Sequence, residues 1–177
     1  MKRFANLIRA DRITKVMKGR RDDLALVLEN LAEEINISAI LRTAEAFGVG
    51  LVCIIYTKGN KPKISKGASS GAHKWLKIKY YLSTKSCFAY LKKFKYKLVG
   101  ALVEPQAKIL WQEKFKGKIA VVVGNESRGL SDFAIKNVDE NIYLPMFGLT
   151  ESLNVSVAAG IFLYEVIRQI ERVPKKN

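Results

Sequence analysis

Apolar positions in this chain fall into short runs that alternate with longer periodic stretches. Residues 24–31 (LALVLENL) are apolar almost throughout, the pattern of a strand buried on both faces in a parallel sheet. In NISAILRTAEAFG (36–48), Ile37, Ile40, Leu41, Ala44 and Phe47 recur at helical spacing. Asn36 or Ser38 is placed to cap that helix, and Gly48 and Gly50 to end it. LVCIIY (51–56) predicts the next strand, completing a βαβ unit with an expected right-handed crossover. WLKIKYYL (75–82) predicts an alternating strand. Ser83 then caps a helix with Cys87, Phe88, Leu91 and Phe94 on its apolar face. KLVGALV (97–103) is a further strand, 109–115 a connector of undefined type, and KIAVVVG (118–124) the most complete buried strand. A short helix over 131–137 leads to an apolar run ending at Pro145. The last helix, 152–171, is amphipathic through Leu153, Val157, Ile161, Tyr164, Val166 and Ile167. Strands alternating with helices predict an α/β domain with a mostly parallel sheet flanked by helices.

Charge adds a partner to this picture. Lys and Arg number 31 against 16 Asp and Glu, a net +15, which points to a polyanion: nucleic acid first, an acidic membrane surface second. Residues 2–18 suit an amphipathic helix with Phe4, Leu7, Ile8 and Val16 towards one side. Arg3, Arg9, Arg12, Lys15 and Lys18 project elsewhere, with Asp11 the only acid. Gly19 stops it, and Arg20 and Arg21 follow. The expected division is a basic helical extension over 1–21, one folded domain over 22–173 and a frayed tail over 174–177. Residues 57–72 form a loop whose Lys58, Lys61, Lys63 and Lys66 suit either phosphate contact or solubility. Trp75 is read as a core wedge ahead of a stacking platform. Cys53 and Cys87 sit in apolar runs and read as packing residues, and with His73 the only histidine no metal site is expected. No run approaches the roughly 18 apolar residues of a membrane span, and the amino terminus is charged where a signal needs an apolar core, so a cytoplasmic protein is expected.

Two loops near the carboxyl ends of strands are candidates for chemistry. GNESRG (124–129) follows its strand directly, but it is neither G-x-G-x-x-G nor a loop with G-K-[ST], which disfavours NAD or NTP chemistry. In LPMFGLTESLNVSVAA (144–159), Ser152, Asn154 and Ser156 lie among apolar residues; one can cap the helix, and a ligand is one partner for the others. Arg42 lies about 140° around the first helix from Ile37. Taken alone, it reads as a surface residue paired with Glu45.

NISAILRTAEAFG (36–48), VVVGNESRGL (121–130) and IYLPMFGLTESLNVSVAAGIFLYE (142–165) resemble, in order, the three motifs of the SpoU/TrmH branch of SPOUT-class RNA methyltransferases. The basic N-terminal stretch ending in GRRDDL is similar to TrmH-type tRNA (guanosine-2′-O-)-methyltransferases. The resemblance implies a SPOUT α/β fold whose C-terminal third forms a deep trefoil knot, an S-adenosylmethionine cofactor, a homodimer, and methylation of a ribose 2′-hydroxyl on tRNA, at a D-loop guanosine. The alternatives are an rRNA or tRNA-wobble substrate, or a non-catalytic RNA-binding module on the same scaffold. Matched by position, Leu102, Gly124, Asn125, Leu144, Met146 and Leu153 would hold the cofactor. Glu126, Ser152 and Asn154 would shape its pocket at the reacting centre, and Asn36 and Arg42 would lie beside the ribose. Arg42 would activate the hydroxyl or clamp a phosphate, because guanidinium does not readily accept a proton. Arg3, Arg9, Arg12, Lys15, Arg20 and Arg21, with Arg42, would bind RNA.

Overall fold

The computed structural model describes residues 19–59, 61–103 and 107–170, so the expected helix over 2–18 and the tail lie outside the described residues. Seven parallel strands form one sheet: β1 (Arg21–Glu29), β2 (Val49–Ile55), β3 (Ile78–Tyr81), β4 (Lys97–Leu102), β5 (Lys108–Ile109), β6 (Ile119–Val123) and β7 (Glu140–Tyr143). Their order is β3-β2-β1-β6-β4-β7-β5. The helices are α1 (Glu34–Ala46), the single turn α2 (Lys66–Ser69), α3 (Thr84–Lys93), α4 (Asp132–Asn137) and α5 (Val155–Ile170).

Alternation along the strands builds two cores. Leu24, Leu26 and Leu28 of β1 face one layer with Val52, Val121 and Val123, closed by Ile37, Ile40 and Leu41 of α1 and Phe162, Leu163 and Val166 of α5. Ala25 and Val27 face the other with Cys53, Ala120 and Val122, closed by Cys87, Phe88 and Leu91 of α3 and Ala134 of α4. Strands covered on both faces explain the unbroken apolar runs. Both cysteines are buried and free. The Cys87 thiol, hydrogen-bonded to Cys53 and buried, is pushed well above its ordinary value, so it stays a neutral packing group.

Several expectations are corrected. The first helix begins at Glu34, with no side-chain cap from its own N-cap residue, so Asn36 and Ser38 lie inside it. Gly48 does end that helix, at φ +68°, but Gly50 belongs to β2, where a Cβ would overlap the Arg21 carbonyl at the register shift of β1. The strand expected over 75–82 shrinks to four residues because 72–75 form a 3-10 turn after Gly71, at φ +76°. Trp75 is 37 % exposed and is no core wedge, and Phe94, at the end of α3, is also exposed. His73 Nδ1 lies 2.8 Å from Ser69 Oγ.

Arg20 and Arg21 also depart from the expected RNA-facing extension, because both turn inward. Arg20 Nη1 donates to the Val49 carbonyl at 3.2 Å, and its Nη2 lies 3.7 Å from Glu45. Arg21 opens β1, forks onto both Asp23 oxygens at 3.0 Å each, and donates to the Ile170 carbonyl at the end of α5 at 3.3 Å. A cation there complements the negative end of the helix. The folded body therefore begins before residue 22.

Candidate functional site

Because the sheet is parallel, the loops after β1, β4, β6 and β7 all leave one edge. Leu102 ends β4, Gly124 follows β6 and Leu144 follows β7, and β4 lies between β6 and β7, so these residues end three adjacent strands. Gly124 is buried, while Leu102, Leu144 and Met146 are half-buried. A Cβ on Gly124 would overlap the backbone of Gly129 and Leu130, so only glycine lets the 124–130 loop close on itself. That loop is pinned by paired bonds, Asn125 N to Gly129 O at 2.9 Å and Gly129 N to Asn125 O at 2.8 Å. Asn125 Oδ1 also accepts from the amides of Ser127 and Arg128, both at 3.1 Å.

The β1–α1 turn is stitched along this loop. Asn125 Nδ2 donates to the Asn30 carbonyl at 2.8 Å. The buried Glu29 carboxylate accepts from Ser131 N at 2.9 Å, Ser131 Oγ at 2.8 Å and Thr84 Oγ1 at 2.5 Å. Glu126 Oε2 accepts from Ala32 N at 2.9 Å; its Oε1 accepts from Glu33 N at 3.2 Å and Asn36 Nδ2 at 3.0 Å. A carboxylate from a distant loop thus caps α1, where ionised oxygens complement the free amides and the helix dipole. Burial raises the Glu126 pKa, but the donors from Ala32, Asn36 and Glu33 outweigh it and leave the group below its ordinary value.

Asn154 completes the chain. Its Oδ1 accepts from Ser156 N at 2.8 Å and Ser156 Oγ at 2.6 Å, capping α5, while its Nδ2 donates to Asn36 Oδ1 at 3.0 Å. The direction of hydrogen bonding is set at both ends. The α5 cap demands the Asn154 oxygen, which turns its amide nitrogen to Asn36; the Asn36 nitrogen then faces Glu126, which can only accept. Asn36, Glu126 and Asn154 therefore form one polarised unit joining α1, the 124–130 loop and α5.

The other candidates are not drawn in. Ser152 is exposed, Leu153 is 37 % exposed, and neither caps α5. Arg42 is exposed and makes no hydrogen bond or ion pair among the described residues; the expected pairing with Glu45 is replaced by Arg20–Glu45. Asn30, Glu29 and the Ala32 and Glu33 amides carry no signal along the chain, since a backbone donor has no sequence signature and a buried carboxylate shows itself only once its partners are assembled. Among the described residues, no group of three or more His, Cys, Asp or Glu could hold a metal. A shallow depression of about 390 Å³ beside β5 and β7, lined by Lys108, Glu113 and Tyr143 among others, holds an ion cluster apart from this unit.

The seven-stranded parallel sheet thus carries two loops at its carboxyl edge, both locked to the first βα unit. Comparison with known proteins then gives the class. The chain matches the SpoU rRNA Methylase family over residues 23–164, and it belongs to that family. Among its relatives, the tRNA (guanosine(18)-2′-O)-methyltransferase of Aquifex aeolicus is 34 % identical over 163 residues, 92 % of this chain and 77 % of that protein. The enzyme of the same name from Thermus thermophilus is 34 % identical over 161 residues, 91 % of this chain and 82 % of that protein. The crystal structure of the A. aeolicus TrmH/SpoU tRNA modifying enzyme superposes with a TM-score of 0.85, covering 91 % of this chain and 82 % of that one. AviRb from Streptomyces viridochromogenes, solved with AdoMet, shares the fold at TM-score 0.74 and 24 % identity, over 90 % of this chain and 63 % of that one.

Proposed function

We propose that the protein is an S-adenosylmethionine-dependent tRNA ribose 2′-O-methyltransferase acting on a D-loop guanosine. The observation that carries the reading is the polarised unit Asn36–Glu126–Asn154, which joins the three family motifs at one strand edge. Likeness over most of the chain to enzymes named for guanosine-18 of tRNA supports the substrate.

The residues present fit the cofactor. Half-buried Leu102 and Leu144 and the buried backbone of Gly124 lie at the ends of three adjacent strands, with half-buried Met146 two residues beyond Leu144, offering apolar faces and peptide groups to a purine nucleoside, and Asn125, Leu153 and Ser152 lie on the flanking loops. The deep trefoil knot belongs to this reading. When bound, S-adenosylmethionine supplies a methyl group on a cationic sulfur. The protein's part is positioning, which contributes much of the acceleration in a transfer to a weak nucleophile. Glu126 is occupied by donors and held ionised, so it orients Asn36 rather than accepting a proton from the ribose. Arg42, exposed and bearing five donors and no acceptor, holds the phosphate beside the target ribose. Arg3, Arg9, Arg12 and Lys15 add contacts to the tRNA body.

The working unit is a homodimer. Helix α5 is apolar on both sides: Phe162, Leu163 and Val166 fill the core, whereas Val157 is 50 % and Tyr164 57 % exposed, with exposed Leu153 just before the helix. An apolar face of this kind marks an interface. Incubation of the protein with labelled cofactor and bulk tRNA and rRNA, followed by mapping of the modified ribose, tests the reading. Label on a D-loop guanosine is expected. Label on rRNA or the wobble ribose would move the substrate, and label in neither would leave an RNA-binding module.

A further inference from the structure

Positive charge is not spread evenly over this chain. Between Ala46 and Val103 there are 12 lysines and no Asp or Glu, although an even scatter of the 16 acids would put about five in those 58 residues (16 × 58/177). The rest of the chain carries 19 basic residues (31 − 12) against 16 acids, a net of only +3. The segment builds the β3–β2 edge of the sheet and α3, then crosses to β4 on the far side of β1 and β6.

Within it, the lysines are used differently. Lys92 and Lys97 pair with Asp139 and Glu140. Lys58, Lys63 and Lys85 are exposed and make no ion pair or hydrogen bond among the described residues. Lys61 is exposed with its Nζ 3.6 Å from the centre of the Tyr80 ring. All four lie on segments leaving the carboxyl ends of β2 and β3, the edge that also carries Asn36, Glu126 and Asn154. The loop bearing Lys58, Lys61 and Lys63 is tied to the first βα unit at both ends. Thr57 N donates to Asn30 Oδ1 at 2.8 Å, and Ser65 N donates to Ser38 Oγ at 2.9 Å, two residues from Asn36.

We infer that this lysine strap, with Lys85 beside it, grips the phosphate backbone of the substrate RNA outside the nucleotide that is methylated. The inference rests on the methyltransferase reading and adds a surface the N-terminal basic residues do not supply. Three cations on a strap anchored next to the reacting end, with a fourth on the neighbouring helix, pay little to be held in place, and phosphate contact needs charge at a fixed location rather than base-specific geometry. The strap's large aliphatic residue, Ile64, packs against the α1-side core instead of projecting outward, which favours a phosphate backbone over a bilayer.

The test compares wild type with the triple variant K58Q/K61Q/K63Q, measuring binding of an unmodified tRNA transcript over a salt series. Loss of three phosphate contacts is expected to flatten the log–log salt slope by about 2–3 and to raise the KM for tRNA about tenfold or more. Cofactor affinity by calorimetry and kcat at saturating tRNA are expected to stay as in wild type. An unchanged slope and affinity would overturn the inference, as would a variant that loses only its adsorption to phosphatidylserine vesicles. If wild type transfers no methyl to RNA while the variant still shows the lost slope, the methyltransferase reading fails and the grip stands.

Discussion

Replacing Glu126 with Gln is the most informative single change. Every group facing this carboxylate is a donor: Ala32 N and, at 3.4 Å, Asn125 Nδ2 on Oε2, with Glu33 N and Asn36 Nδ2 on Oε1. An amide has one acceptor oxygen, so whichever way the introduced side chain turns, one side presents N–H to N–H. Asn36 cannot relieve the conflict by flipping, because Asn154 must offer it a donor while capping α5 with its oxygen. Hydrogen bonds to a charged acceptor are worth about 1.5–3 kcal/mol each, and losing the cap of a helix costs about 1 kcal/mol. Since the site is half-exposed and water replaces part of the loss, a net cost of about 2 kcal/mol follows, a fall in Tm of about 4–8 °C for a chain of this size. The difference between wild type and variant depends on pH. Glu126 titrates below its ordinary value in the fold, so its contribution is fully present above the unfolded carboxylate pKa of about 4.3 and fades as pH falls through the lower folded value. Thermal melts from neutral to acidic pH, with methyl transfer measured alongside, check this. A variant that melts within about 1 °C of wild type at neutral pH and keeps full activity would refute the assigned role, since that shift is worth well under 1 kcal/mol.

Three further outcomes are expected. Arg42→Ala lowers methyl transfer by roughly 10²-fold or more through lost positioning of the RNA, while cofactor affinity and Tm hold, because the side chain has no partner among the described residues; near-normal turnover would sink its assignment. Gly124→Ala forces the 124–130 loop open, breaking the paired Asn125–Gly129 bonds at a cost of about 2–4 kcal/mol, and calorimetry should show weakened cofactor binding with the lowered Tm. Val157→Asp leaves the core intact because Val157 is half-exposed; if the proposed dimer uses this face, sedimentation should show a dimeric wild type and a monomeric variant, and a monomeric wild type would refute the dimer.

Much of this protein is legible along the chain. Runs such as 24–31 and 118–124 announce strands because burial on both faces leaves no room for polar residues, and Ile37, Ile40, Leu41 and Ala44 mark α1 because one helix stripe must face the sheet. Three motifs in order name the family, which the match over 23–164 bears out. What the chain could not disclose are relations between distant segments. Asn36 looks like a cap but is a relay, because the real cap of α1 comes from Glu126, 90 residues away. Arg42 beside Glu45 looks like an ion pair, but Arg20 takes the carboxylate, and Arg20 and Arg21 look like an RNA grip until Val49, Asp23 and Ile170 claim their donors. Helix α5 reads as one apolar stripe, yet only half of it meets the core. Periodicity and composition are local, so sequence determines which elements form and which motifs they carry. Hydrogen-bond partners and the burial of long charged side chains depend on which strand edges meet, and only the tertiary structure decides that.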